Sequence, residues 1–341
     1  MADEEAGMFD HVKIYNTLYL LVADEGREEA LFGDCQPLAQ EAFRRSLAGD
    51  EFPIVWFEVP LLGAPRFDLH VAMSRTALAP GTRFAFGAGA GYEELFRWYA
   101  NEEPGGKGLA LAYDVSEGSI DAPAVHVNVN GAPLARMDRF FDLAAGTGAG
   151  AANRWRTFQK HLPQGWRVWY VGFHPGRPHT PVRVDCFVGN DLKDAYAGDL
   201  GLLERHLREC GFTKVSPELR DAAGLITSSP FPLELQFDVL EDGSVGPTIG
   251  VSAAFRSVNP AALRRQFGEG GAAAKLMGQV EAHGLADDRW RHLAEASFAR
   301  LVDTSSGALA LYCSPTFVKL RVRDGKPLDA KAYLQAGAHI M

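Results

Sequence analysis

Apolar and polar residues alternate along short stretches of this chain, and the stretches come in pairs. In 66–74, Phe67, Leu69, Val71 and Met73 fall on one side of an extended backbone, with Arg66, Asp68, His70, Ala72 and Ser74 on the other. A period of two is the mark of a strand with one buried face. It recurs in 124–130, where valines oppose His126, Asn128 and Asn130, and in 182–188, where Arg183 and Asp185 oppose Val182, Val184 and Cys186. Glu234, Gln236 and Asp238 oppose Leu233, Leu235, Phe237 and Val239; Lys319, Arg321 and Arg323 oppose Val318, Leu320 and Val322; Lys331, Tyr333 and Gln335 oppose Ala330, Ala332 and Leu334. Five strand pairs result, at 53–74, 109–130, 166–188, 233–255 and 317–337, each joined by a short turn.

The intervening segments have helical character. Residues 26–47 predict a helix interrupted near Pro37, 92–103 a short amphipathic helix, and 132–162 two helices around a Gly/Ala-rich loop. Residues 191–210 predict a helix stopped by Gly211, and 260–301 two helices around Gly284; 11–24 is apolar enough to be buried as helix or strand. The order αββα thus repeats five times, and a repeated unit that needs neighbours to cover its apolar face argues for a single domain over 1–341. The fold class is α+β. Ten antiparallel strands predict a closed barrel, because closure removes unpaired edges. The amphipathic helices are the available cover for the apolar strand faces, so they belong outside and the polar faces inside. A polar ten-stranded lumen is wide enough for a ligand. The alternative is an open sheet with one wet face.

Composition narrows the function. Among 341 residues the net charge is −9, which disfavours non-specific nucleic-acid binding. Cys35, Cys186, Cys210 and Cys313 are far apart with no CxxC, as expected of buried thiols in a reducing compartment. The start MADEEAGMFD is acidic and unlike a signal peptide, and no run approaches a membrane span, so the expected location is cytoplasmic, without membrane partners.

The predicted lumen has a chemistry. Arg66, His70, Arg183, Lys319, Arg321 and Lys331 cluster on the inward faces. Like charges on adjacent strands repel, so the cluster points to a multiply charged anion such as a diphosphate; a solvated strand face explains any single member. Glu58, Glu234 and Asp238 supply carboxylates. Glu58 shares its face with Ile54 and Trp56, a setting that predicts a raised pKa and a role as proton acceptor, whereas Glu234 and Asp238 are as readily explained by charge pairing. Tyr170 and Tyr333 offer aromatic faces that attract and shield a carbocation. Trp56, Tyr170, Glu234, Gln236 and Asp238 would line the rest of the lumen.

Other motifs are weaker. NDLKD (190–194) matches a Mg-diphosphate pattern that needs a second copy, and Asn190 or Asp191 as a helix cap explains it. GAGAGY (87–92) lacks dinucleotide-loop spacing. HPGRPH (174–179) reads as a tight turn. No metal site is expected.

The αββα repeat with a basic, tyrosine-containing lumen resembles the ABBA-fold, or PT-barrel, prenyltransferases, including the indole and cyanobactin-type peptide branches. AKAYLQAG (330–337) is similar to the Lys-x-Tyr pairs with which that family holds diphosphate, and RFDLHVAMS to the strand after the first turn in the peptide enzymes. VHVNVN and IGVSAAF occupy two comparable places without a basic residue, and Val55 stands where a proline commonly precedes the acid. The resemblance implies transfer of an allylic isoprenoid from a diphosphate donor to an aromatic or peptide acceptor. It gives Glu58 the role of base, assigns Arg66, His70, Arg183, Lys319, Arg321, Lys331 and Tyr333 to the diphosphate, and places Trp56, Tyr170, Glu234, Gln236 and Asp238 around the prenyl chain and acceptor. It implies no required cofactor, with Mg²⁺ entering only alongside the donor. The competing expectations are a non-catalytic barrel that binds an anionic small molecule or peptide, and a different peptide-tailoring enzyme on the same fold.

Overall fold

Every strand of the described chain runs antiparallel to its neighbours, and ten of them close on themselves. A computed structural model describes residues 11–24, 26–46, 54–73, 91–102, 108–118, 120, 122–129, 134–145, 150–177, 179, 182–240, 242–255, 259–304 and 307–340. Its strands are β1 (Ile54–Pro60), β2 (Asp68–Met73), β3 (Leu109–Tyr113), β4 (Ala124–Asn128), β5 (Trp166–Phe173), β6 (Val182–Val188), β7 (Leu233–Val239), β8 (Val245–Ala254), β9 (Phe298–Thr304), β10 (Gly307–Arg323) and β11 (Lys326–Ile340). Strands β1 to β8 pair in chain order, β8 pairs with β10, β10 with β11, and β11 with β1. The expected ten-stranded barrel is therefore present, with β9 as an eleventh strand paired along the first half of β10.

The alternation read from sequence sets the faces. Val55, Phe57, Val182, Val184, Leu235, Phe237, Val318 and Leu320 are fully or almost fully buried under the outer layer. The segment 11–23 is helical, and Tyr15, Leu18, Tyr19 and Val22, at helical spacing, are its buried stripe. The Tyr19 ring lies 6.2 Å from Phe57, and Phe32 lies 5.5 Å from Phe57 and 5.2 Å from Phe67. Gly33 ends the turn at 28–32 with φ +58°, and a Cβ there would fall 2.2 Å from the Pro65 carbonyl oxygen. Only glycine lets this helical layer approach the first hairpin so closely.

Some expectations need correction. Residues 191–210 form two helices, 190–198 and 200–209, broken at Asp199, whose carboxylate accepts from the Gly201 N–H. The cap residue of the first is Gly189, so neither Asn190 nor Asp191 caps it. Residues 217–227 carry no periodicity-based expectation but form a helix, started by Pro217 and by Ser216, whose hydroxyl accepts from the Leu219 N–H at 3.1 Å. The stretch expected as helix up to 301 ends in β9. That strand stands off the barrel wall, with Leu301 68% and Val302 40% exposed, so the in–out alternation that identifies the other strands fails there.

The four cysteines are buried and unpaired with one another. No helix among the described residues is long and apolar enough to cross a membrane. Most of the Gly/Ala-rich stretch at 87–92 lies outside the described residues.

Candidate active site

The seam that closes the barrel builds the centre of the lumen. Register places Glu58 of β1 opposite Tyr333 of β11 on one side and Asp68 of β2 on the other. Lys331 Nζ donates to Glu58 Oε1 at 2.5 Å and lies 3.5 Å from Asp68 Oδ2. His70 Nε2 is 3.2 Å from Glu58 Oε2. Asp68 Oδ1 also accepts from the Ser116 backbone N–H at 3.0 Å and the Ser116 hydroxyl at 2.6 Å. Burial pushes the Glu58 carboxyl up, but the surrounding Lys331, Lys319 and His70 overcome it and hold the group well below the usual carboxylate range. The raised pKa expected from Ile54 and Trp56 is thereby overturned. Those two share the strand face, but cations from β10, β11 and β2 decide the field.

Tyr333 is buried against the same carboxylate. Burial and the Glu58 charge push its phenol well up, so it stays protonated and can donate. Its ring stacks on Phe317 with centroids 4.0 Å apart, and Lys319 Nζ sits 4.8 Å from its centroid, a cation–π distance. Lys319 and Lys331 are register neighbours, as expected. Burial lowers Lys319 to about 8 even though Glu58 favours its charge.

The remaining cations already have acids. Arg183 donates through Nε and Nη2 to Asp238 Oδ1, both at 2.8 Å, and Arg177, in the turn after β5, lies 3.9 Å from the same oxygen. Arg321 makes a two-point pair with Asp329. Lys319 donates to Gln236 Oε1 at 3.1 Å, and Gln236 donates through Nε2 to Asp185 at 2.7 Å. The basic cluster is thus not an uncompensated charge array: carboxylates on the same face offset the like-charge repulsion. Arg66 departs further. It is exposed and precedes β2 instead of lying on it, so it is not part of the lumen wall.

The other expected lining residues spread along the barrel. Trp56, half-buried, is register-paired with His70 and Gln335. Tyr170 pairs with Asp185 and Asn128, beyond a bulge in β5, and burial raises its phenol. Glu234 sits beside Ser252 and Phe187.

Three further groups, which the sequence reading did not assign to the site, lie here. His126 of β4 stacks on His70 with centroids 5.9 Å apart, and His174, just past β5, meets His126 edge-on at 5.1 Å. Arg177 lies in the same region. His126 was visible in the alternation, whereas His174 and Arg177 lie in a turn, where periodicity is silent. Among the described residues no group of His, Cys, Asp or Glu is arranged to hold a metal ion.

No family model matches the chain, and no curated protein matches it. Solved structures do. The 5-dimethylallyltryptophan synthase of Streptomyces coelicolor superposes with a TM-score of 0.52 at 13% identity, over 96% of this chain and 97% of that one. A 6-dimethylallyl tryptophan synthase gives 0.56 at 14% identity, over 96% of each chain. Prenyltransferase PriB, in a ternary complex with L-tryptophan and dimethylallyl thiolodiphosphate, gives 0.50 at 14% identity, over 95% of each chain. At these identities the likeness is one of fold, and the chain has the ABBA, or PT-barrel, fold.

Proposed function

We propose that this chain is a prenyltransferase that ionises an allylic diphosphate inside the barrel and transfers the isoprenoid to a nucleophilic acceptor. One observation carries the reading: Glu58, Lys331, Lys319 and Tyr333 converge, all buried, on the lumen side of the closing seam. The fold supports it, since PriB is a prenyltransferase and the other two solved structures are dimethylallyl tryptophan synthases.

In this scheme the carbon–oxygen bond of the donor breaks, and the electron pair leaves on the diphosphate. Lys319, Lys331, Arg183, Arg321 and His70, with the Tyr333 hydroxyl, stabilise that developing charge. Each cation must first exchange its present partner for a phosphate oxygen. Tyr333 and Tyr170 shield the allylic cation through their ring faces. A carbon of the acceptor then bonds to the cation, and Glu58 takes the proton released. Glu58 is ionised beforehand and becomes more basic as the diphosphate draws Lys331 and Lys319 away from it. The scheme requires no cofactor, and Mg²⁺ would enter as part of the donor complex.

An aromatic acceptor is favoured, because L-tryptophan is the acceptor-sized ligand in the PriB complex; a peptide side chain of the same chemistry fits the resemblance. The unpaired buried cysteines support a cytoplasmic setting. A second reading, a barrel that binds an anion without turnover, is favoured by the pairing of Arg183 with Asp238 and Arg321 with Asp329.

The test is incubation with dimethylallyl, geranyl and farnesyl diphosphates and a panel of indoles, phenols and peptides, with Mg²⁺ or with a chelator. A mass increase of one prenyl unit on an acceptor is the expected result. Donor binding without any alkylated product would favour the second reading.

A further inference from the structure

We propose that His126 and His174 bind phosphate-type oxygens of the donor through Nε2, and that anion binding to this barrel takes up protons there. The inference rests on the diphosphate reading of the lumen and adds two ligands and a proton count to it.

The placement is specific. His126 of β4, Gly172 of β5 and Arg183 of β6 are register neighbours in one row. A Cβ on Gly172 would fall 2.7 Å from His126 Cε1 and 2.8 Å from Nδ1. The imidazole therefore lies over the β5 backbone at Gly172, in space that only glycine leaves, on the side that leads to Arg183. His174 brings a second ring edge-on to the first. Nε2 of each ring is buried and has no hydrogen-bond partner among the described residues. A buried polar atom left in that state costs about 1–3 kcal/mol, and on the lumen face of the barrel the missing partner is most simply a ligand atom.

The surroundings decide its sign. His126 is faced by His70 from β2, Arg183 from β6, Arg177 from the turn after β5, and Lys319 from β10; His174 is faced by Arg183, Arg177, His126 and His70. This positive wall repels a metal ion and attracts an oxyanion. Burial, followed by these positive neighbours, holds both imidazoles well below the ordinary histidine range, so at neutral pH each has one bare nitrogen. An oxyanion that pairs with Arg183 and accepts from Nε2 replaces repulsion with attraction. The pKa of each ring then rises, and solvent supplies the proton. The bond formed is a charge-assisted N–H···O contact; no covalent step is involved.

Nitrogen-15 NMR of the full chain with labelled histidines, with and without inorganic pyrophosphate at pH 7, reads this directly. His126→Asn and His174→Asn assign the two signals among the ten histidines. Both rings are expected to be neutral without pyrophosphate and to gain a proton on its addition, and each substitution is expected to weaken pyrophosphate binding about tenfold or more. If a variant fails to fold, the wild-type spectrum still decides, since two neutral rings must become protonated. Pyrophosphate bound at undiminished affinity in both variants, or bound with both rings unchanged, overturns the inference and leaves the diphosphate reading standing. No binding of pyrophosphate or donor by the wild type at any pH overturns that reading itself and the inference with it.

Discussion

Lys319 crosses the backbone of Gly250 to reach Gln236, two strands away: its Nζ donates to the amide oxygen at 3.1 Å, and a Cβ on Gly250 would meet the lysine Cδ at 2.7 Å. The lysine is thus locked in the wall with its charge largely desolvated. Its folded pKa of about 8 lies below the ordinary 10.5. Between these values the unfolded chain holds the proton and the folded chain does not, so stability rises with pH across this window. Chemical denaturation of wild type and Lys319→Met at pH 7.5 and 10.5 should show a gain with pH, specific to the wild type, of up to about 3 kcal/mol. Equal pH dependence in the two proteins would mean that the lysine is solvated.

Lys331 answers two buried carboxylates, Glu58 and Asp68. Lys331→Ala leaves both without their cation and should destabilise the protein by about 3–5 kcal/mol. Adding Glu58→Gln should recover part of that loss, because contacting residues are not additive. Pyrophosphate affinity of the single variant should fall by about 1.5–3 kcal/mol. Unchanged denaturation midpoints would show that the pair is not buried as described.

Glu58→Gln keeps the shape and removes the carboxylate proposed to accept the proton. Turnover should fall by about 10²–10⁴-fold, while pyrophosphate affinity holds or rises, since Lys331 and Lys319 lose a competing anion. Acid sensitivity should change too. The Glu58 carboxyl is held below its usual 4.5, so its contribution is full above that pH and is lost as pH falls through the lower folded value. The Gln variant should therefore lose less stability than wild type on acidification below about pH 4.5. Alkylation at the normal rate in this variant would place the base elsewhere.

Asp238→Asn separates the question of anion binding from that of catalysis. Arg183 is tied to Asp238 at 2.8 Å. If a diphosphate must displace that carboxylate, neutralising it should tighten pyrophosphate binding by about 1–2 kcal/mol, read by calorimetry. Weaker binding would mean that Asp238 positions Arg183 for the ligand instead of competing with it.

The strand faces were legible because one local rule governs them. Val318, Leu320 and Val322 must be covered, so Lys319 and Arg321 must face inward, and no distant information is needed. Closure followed from the repetition of strand pairs together with the cost of unpaired edges. The electrostatics of Glu58 were not legible: its strand neighbours Ile54 and Trp56 suggest an apolar setting, whereas the deciding groups come from residues 319 and 331 at the far end of the chain. The acids that offset the basic cluster, Asp329 and Asp238, were visible as letters, but their pairing depends on cross-strand register. Arg66 shows the limit of alternation at a strand end: two residues before Asp68 the chain is outside the strand and the side chain is exposed. His174 and Arg177 belong to a turn, and β9 to an extension of the sheet that solvent reaches, so neither carries a burial pattern.

The Lys331–Glu58 contact joins positions 273 residues apart, and this separation imposes an order on synthesis. When a ribosome has made β1 to β8, Glu58 and His70 already exist, but β1 still has a bare edge and the carboxylate has no lysine. Only when residues 326–340 emerge can β11 dock between β10 and β1. Closure of the lumen therefore waits until β11 has been made, and a nascent chain stalled before that point holds an open sheet in need of protection from other chains.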